Sequence, residues 1–100
     1  MRVLGIEGTA WAASAAVFDT ATDDILVESD PYQPDSGGIH PREAAEHMGE
    51  AIPTVIERAL EHAASLTDER PPVDAVAFSR GPGLGPCLRI VATAARSLAA

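Results

Sequence analysis

The stretch Val73-Asp74-Ala75-Val76-Ala77-Phe78-Ser79-Arg80-Gly81-Pro82-Gly83-Leu84-Gly85-Pro86-Cys87-Leu88-Arg89 decides the fold. Val73 to Ser79 is an apolar run of strand length, and the residues from Pro86 onward begin a helical pattern. Between them the chain carries Gly81, Gly83 and Gly85, interleaved with Pro82. Such a segment can bring bare backbone amides and a helix N-terminus against a phosphate. It can equally let a helix end pack closely on a strand. It has neither the Lys-Ser or Lys-Thr of a P-loop nor the Gly-x-Gly-x-x-Gly spacing, so the residues leave both readings open.

Downstream, Pro86 suits the first position of a helix whose apolar residues are Leu88, Val91, Ala92, Ala95 and Leu98. No glycine, asparagine or proline stops it before Ala100. Upstream, Ser65 to Pro72 is a polar linker. Before the linker a helix begins at Pro41 and runs to Ala64, its core face made by Ala44, Met48, Ile52, Val55, Ile56, Ala59, Leu60 and Ala63. Glu46, His47, Glu50, Glu57, Arg58 and Glu61 stay outside. Pro53 removes a backbone donor inside this pattern, which predicts a kink or break near Gly49 to Ile52.

Asp30 to Gly38 is a loop by its prolines and glycines. Before it, three strands are expected at Arg2–Glu7, Ser14–Asp19 and Ile25–Ser29, joined by the small residues Gly8-Thr9 and by the polar turn Asp19 to Asp24. The order strand, strand, strand, helix, strand, helix gives an α/β unit in which a meander gains a fourth strand through a crossover.

One hundred residues with 46% apolar content form one globular unit with a modest core. No apolar run approaches the ~20 residues that span a bilayer, and no leader pattern opens the chain, so a cytoplasmic location and no membrane partner are expected. Cys87 is alone and fits a reducing compartment. Fifteen acids face seven bases, every base is arginine, and the net charge is −8. A surface of that kind suits high salt, where its self-repulsion is screened. An ordinary acidic protein of a GC-rich genome is the plainer explanation. The charge argues against direct non-specific binding of nucleic acid by this segment.

Two glycine-bearing turns, each after a buried strand, are what a nucleotide cleft at strand carboxyl ends uses. Gly5, Glu7, Gly8 and Thr9 are candidates for one side of that cleft, and Gly81, Gly83 and Gly85 for the other. Glu7 is either a solvated strand end or an acid facing the cleft, and Thr9 either a phosphate donor or a turn hydrogen bond. His40, His47 and His62 have no i, i+4 pair, so no metal ligand is assigned among them. Neither a Ser-His-Asp nor a Cys-His grouping occurs.

Three blocks together resemble a known family: Val3 to Ala10, Gly37 to His47, and Ala77 to Arg89. They are similar to the archaeal and eukaryal tRNA threonylcarbamoyladenosine transferases, the Kae/OSGEP/TsaD family. The resemblance covers the whole chain. It implies the N-terminal lobe of the actin/heat-shock chaperone/sugar-kinase (ASKHA) fold. It also implies transfer of threonylcarbamoyl from threonylcarbamoyl-adenylate to the adenosine beside the anticodon, in tRNAs reading codons that begin with A. The nucleotide ligand would be that adenylate or ATP.

A divalent metal, iron or zinc, is implied as well, held by a histidine pair and an aspartate that would lie beyond residue 100, after Arg96-Ser97. The catalytic residues would lie there too, and the segment 1–100, an incomplete lobe with its last helix running off the end, would be inactive alone. The implied partners are the KEOPS subunits, namely a kinase-like subunit and a small dimerising subunit that packs on the helices of this lobe, with tRNA as substrate of the assembly. The run Thr9-Ala10-Trp11-Ala12-Ala13 lacks the acid of the bacterial branch. Its absence favours the archaeal branch, and the composition a halophilic archaeon. Rival readings are an ASKHA-fold ATP-dependent small-molecule kinase and a non-catalytic interaction module using the helix from Pro41 to Ala64.

Overall fold

The computed structural model describes residues 1–8, 11–33 and 40–100. Strands β1 (Arg2–Glu7), β2 (Ala12–Asp19) and β3 (Asp24–Pro31) are followed by helix α1 (Pro41–Leu66), strand β4 (Ala75–Phe78) and helix α2 (Gly85–Ala99). The sheet order is β3-β2-β1-β4. β1 pairs antiparallel with β2, with Leu4 opposite Val17 and Ile6 opposite Ala15. It pairs parallel with β4, with Leu4 beside Val76 and Ile6 beside Phe78. The expected meander and crossover are both present.

Alternation decides which face is covered. Leu4, Ile6, Ala13, Ala15 and Val17 share one side of the sheet and form a single core with Met48, Ile52 and Val55 of α1 and Cys87, Val91 and Ala95 of α2. Both helices therefore lie on that side. The opposite side carries Val3, Phe18 and Ile25 and Val27, the last two 65% and 58% exposed.

Three expectations need correction. α1 runs for 26 residues through Pro53, without the break that was one of the two expected outcomes. The proline sits on the exposed side, and the carbonyl that loses its donor belongs to Gly49, itself exposed, so water can replace the missing bond. Second, β2 begins at Ala12 rather than Ser14 and β3 extends from Asp24 to Pro31, because the pair keeps register past the polar ends that propensity alone would drop. Third, β4 is confined to Ala75–Phe78. Asp74 is held just outside the ladder by an exchange with Arg2, whose N–H donates to Asp74 Oδ2 at 2.8 Å while the Asp74 N–H donates to the Arg2 carbonyl at 2.8 Å.

Arg2 fastens the first strand to the linker that precedes β4. Its Nε donates to the Pro72 carbonyl at 2.7 Å, and its guanidinium pairs with Glu69 at 3.1 Å and Asp19 at 3.7 Å. Only 16% of the side chain is exposed, so this is more than a surface ion pair. Arg2→Met is expected to cost about 1–2 kcal/mol in urea unfolding, chiefly through the Pro72 carbonyl left without its donor. Most of that loss should persist in concentrated salt, which would remove a purely ionic contribution.

His47 was expected on the polar side of α1. It is instead half-buried, its Nε2 2.9 Å from the Asp30 carbonyl and its ring 5.9 Å from that of Tyr32. Tyr32 donates to Glu43 Oε2 at 3.0 Å, and burial together with that carboxylate pushes its phenol above the ordinary tyrosine range. These contacts clamp the end of β3 to the first turns of α1.

Candidate functional site at the strand ends

Because β1 and β4 run parallel as neighbours, both chains leave the sheet at the same end. The Ser79 N–H donates to the Ile6 carbonyl at 3.0 Å, so the ladder holds right up to where the two turns begin. Glu7 and Gly8 thus stand beside Ser79 and the segment 80–85. The two turns that the sequence singled out separately are brought together.

The glycines do different jobs within this arrangement. Gly5 lies inside β1, paired with Ala16 and Ala77, and a Cβ there would meet nothing nearer than the Ala16 carbonyl at 4.0 Å. It is a strand residue and not part of the turn. Gly8 is buried beneath both helices. A Cβ on it would fall 2.6 Å from Val91 Cγ2, 3.1 Å from Ile52 Cδ1 and 3.2 Å from Met48 Sδ. Close helix packing accounts for the bare backbone at that turn. Thr9 lies outside the described residues. Glu7 is half-buried at the strand end and engaged in an interaction.

The second loop differs. Residues 80 to 83 and Gly85 are exposed, and a Cβ on Gly85 would meet nothing within 4 Å. Packing does not demand glycine at position 85. Gly81 has φ +139°, a conformation that L side chains rarely adopt. Gly81→Ala is therefore expected to cost about 1–2 kcal/mol in thermal unfolding, with Gly85→Ala close to neutral.

α2 opens on this loop with no side-chain cap, and Pro86 stands in its first turn. The positive end of the helix dipole and the first backbone N–H groups therefore face the segment 80–85. Cys87 lies in the same first turn, wholly buried, and burial raises its thiol above the ordinary range. That leaves it a protonated core residue rather than a nucleophile. Among the described residues no three His, Cys, Asp or Glu side chains gather as a metal site. His40 stands at the N-cap position of α1, with no cap hydrogen bond from its side chain, and His62 is exposed, far along the same helix.

One residue escaped the sequence reading. Ser79 ends the apolar run of β4, and its Oγ has less than 1 Å² exposed and no hydrogen-bond partner. The only signal was that it is the first polar side chain after the strand.

A second feature lies on the outer side of the helices. A groove of about 640 Å³ runs between α1 and α2, lined by Pro53, Ile56, Leu60, Ala64, Ala94 and Leu98 among others. None of the described helices is long and apolar enough to cross a membrane.

Comparisons with known proteins agree with this geometry. A solved structure described as YeaZ from Pseudomonas aeruginosa superposes with a TM-score of 0.71 over 99% of this chain and 40% of that one, at 20% identity. A second, described as an uncharacterized protein with similarity to peptidase YEAZ from Pseudomonas aeruginosa, gives 0.65 over 98% of this chain and 38% of its own, at 24% identity. At that identity the likeness shows the fold alone, a lobe of mixed α/β structure.

Among sequence relatives, the "Probable bifunctional tRNA threonylcarbamoyladenosine biosynthesis protein" of Haloarcula marismortui is 68% identical over 99% of this chain and 20% of its own length. The protein of the same name from Halobacterium salinarum is 69% identical over 99% and 18%. A tRNA N6-adenosine threonylcarbamoyltransferase of Archaeoglobus fulgidus is 52% identical over 99% of this chain and 29% of its own. The chain thus spans between about a fifth and three tenths of the length of these relatives. The family model described as tRNA N6-adenosine threonylcarbamoyltransferase matches residues 21–100, four fifths of the chain, and the chain belongs to that family.

Proposed function

We propose that this chain serves as the N-terminal lobe of an enzyme that transfers threonylcarbamoyl from its adenylate to the adenosine beside the anticodon, in tRNAs reading codons that begin with A. The observation that carries this beyond family membership is the parallel pairing of β1 with β4. It sets the Glu7-Gly8 turn beside an exposed glycine loop at an uncapped helix N-terminus. A nucleotide phosphate suits that position, with Gly81, Gly83 and Gly85 allowing the approach and the α2 dipole favouring the charge. Thr9 belongs to the same proposal through the turn it occupies in sequence.

The described residues do not fit a divalent metal by themselves, since no ligand group of three is assembled. In this reading the iron or zinc is held by chain outside residues 1–100. The net charge of −8 supports a reading in which the contacts to tRNA phosphates are made outside this lobe as well. The apolar groove between α1 and α2 supports the partner part of the reading, in which the small dimerising subunit of a KEOPS assembly packs on these helices and the kinase-like subunit binds elsewhere. A cytoplasmic setting follows from the tRNA substrate. An origin in a halophile is supported by the absence of lysine and by the haloarchaeal relatives.

The test is transfer by the full-length protein, supplied with threonylcarbamoyl-adenylate and an unmodified tRNA that reads a codon beginning with A. The expected result is threonylcarbamoyladenosine in the nuclease digest of that tRNA and none in one whose anticodon is changed to read other codons. Phosphorylation of a small molecule with no nucleoside product would overturn the reading in favour of a kinase.

A further inference from the structure

Resting on the nucleotide-site reading above, we propose that Ser79 is a ligand-binding residue of this site, its hydroxyl giving a hydrogen bond to the bound nucleotide. The first support is its position. Phe78 is beside Ile6 in the parallel ladder, so Ser79 falls next to Glu7, at the point where both turns leave the sheet. Its main chain is pinned there by the bond to the Ile6 carbonyl, which fixes the origin of the side chain on the rigid part of the lobe.

The second support is the state of the hydroxyl. Among the described residues it is the one buried side-chain oxygen or nitrogen without a partner. A buried hydroxyl in that condition has lost its bonds to water and gained nothing in exchange, so it is retained at a cost to folding. Alanine or valine would fill the end of a strand more cheaply. Unsatisfied polar groups of this kind collect where a site awaits a partner.

The third support is access. Although its Oγ is covered, Ser79 as a whole is only part-buried, and the neighbours that follow, Arg80 to Gly83, are exposed. Rotation about χ1 moves a serine hydroxyl between three staggered positions. For Ser79 to act in this way, one of these positions has to face the loop, so that Oγ reaches the ligand while the main chain stays pinned. The hydroxyl can then donate to an oxygen of the phosphate or of the ribose, whereas Glu7, when ionised, can only accept. A nucleoside phosphate, which offers both acceptors and hydroxyl donors, matches that pair.

The experiment is calorimetric titration of the full-length protein with AMP and with ATP, in the wild type, Ser79→Ala and Ser79→Cys, together with the melting temperature of each. The alanine and cysteine variants are expected to bind nucleotide about tenfold more weakly. Their melting temperatures should be equal to or above that of the wild type, since the buried hydroxyl stabilises nothing in the free protein. In transfer assays KM for the adenylate should rise more than kcat falls. Wild-type affinity in both variants would overturn the proposal and leave the hydroxyl as a folding cost only. If Ser79→Ala fails to fold, the cysteine variant, which keeps the shape and loses the strong donor, decides in the same way. A wild-type protein that takes neither nucleotide would overturn the nucleotide-site reading itself, and this inference with it; nucleotide binding unaffected by the variants sinks the inference alone.

Discussion

Gly8→Ala should destabilise the lobe by about 1–3 kcal/mol, the usual range for overpacking a filled core. The added methyl would sit 2.6 Å from Val91 Cγ2, closer than carbon atoms approach, with Ile52 Cδ1 and Met48 Sδ as the next obstacles. Val91, Ile52 and Met48 are all fully buried, so none can swing into solvent. The strand end, the middle of α1 and the second turn of α2 would all have to give way together. Val91→Ala relieves the nearest contact. The double variant Gly8→Ala, Val91→Ala should therefore be more stable than the sum of the two single losses predicts, by about 1 kcal/mol or more of coupling. Strict additivity in urea unfolding would show that the glycine is needed for its backbone rather than for its missing side chain. Separately titrated nucleotide would then be the place to look for the loss.

Pro53→Ala should act in the opposite direction and raise stability by about 1–3 kcal/mol, since proline inside a helix costs roughly 3 kcal/mol relative to alanine. The helix is already continuous through this position, so the variant needs no rearrangement to regain the bond to the Gly49 carbonyl. Pro53 is exposed and its ring contributes to the groove between α1 and α2. The same substitution is thus expected to weaken any partner that fills that groove. A rise in melting temperature with unchanged assembly would show the ring to be irrelevant to docking. A fall would mean that the proline sets a bend on which the packing of α1 depends.

Much of the fold could be read from residue order because α1 and the first three strands carry strong local patterns. Met48, Ile52, Val55, Ile56 and Ala59 repeat at helical spacing, and all are buried. Ser14 to Asp19 alternates as a half-covered strand does, although the preceding Ala12 and Ala13 have too little strand preference to show that the ladder starts there. Pro53 misled because its local cost is real while its surroundings on an exposed helix face absorb it. His47 misled for the opposite reason: its partners, Asp30 and Tyr32, come from a strand end that helical periodicity does not see.

The candidate site was legible as two separate turns, and their meeting was not, because it depends on β4 inserting beside β1. Nor could the residues tell Gly8 from Gly85. The atoms that exclude a side chain at Gly8 belong to residues 40 to 83 positions further along, while Gly85 faces open space. Gly8 is explained by what is packed on it, whereas packing leaves Gly85 unexplained and only the proposed ligand gives it a reason. Ser79 was hidden by its chemistry, since a serine at the end of a strand is ordinary until its hydroxyl is found without a partner.

Neighbouring strands in a ladder stand about 4.8 Å apart, and here the bond from Ser79 to Ile6 carries that spacing to the rim of the site. The mouth between the two turns is consequently a jaw of fixed gauge at its hinge. It cannot be prised wider there without breaking the sheet. In the proposed nucleotide site, tolerance for ligands of different girth then falls to the outer arm, residues 80 to 83, which the ladder does not hold; at Gly81 a side chain taxes the fold as well, because of its φ of +139°.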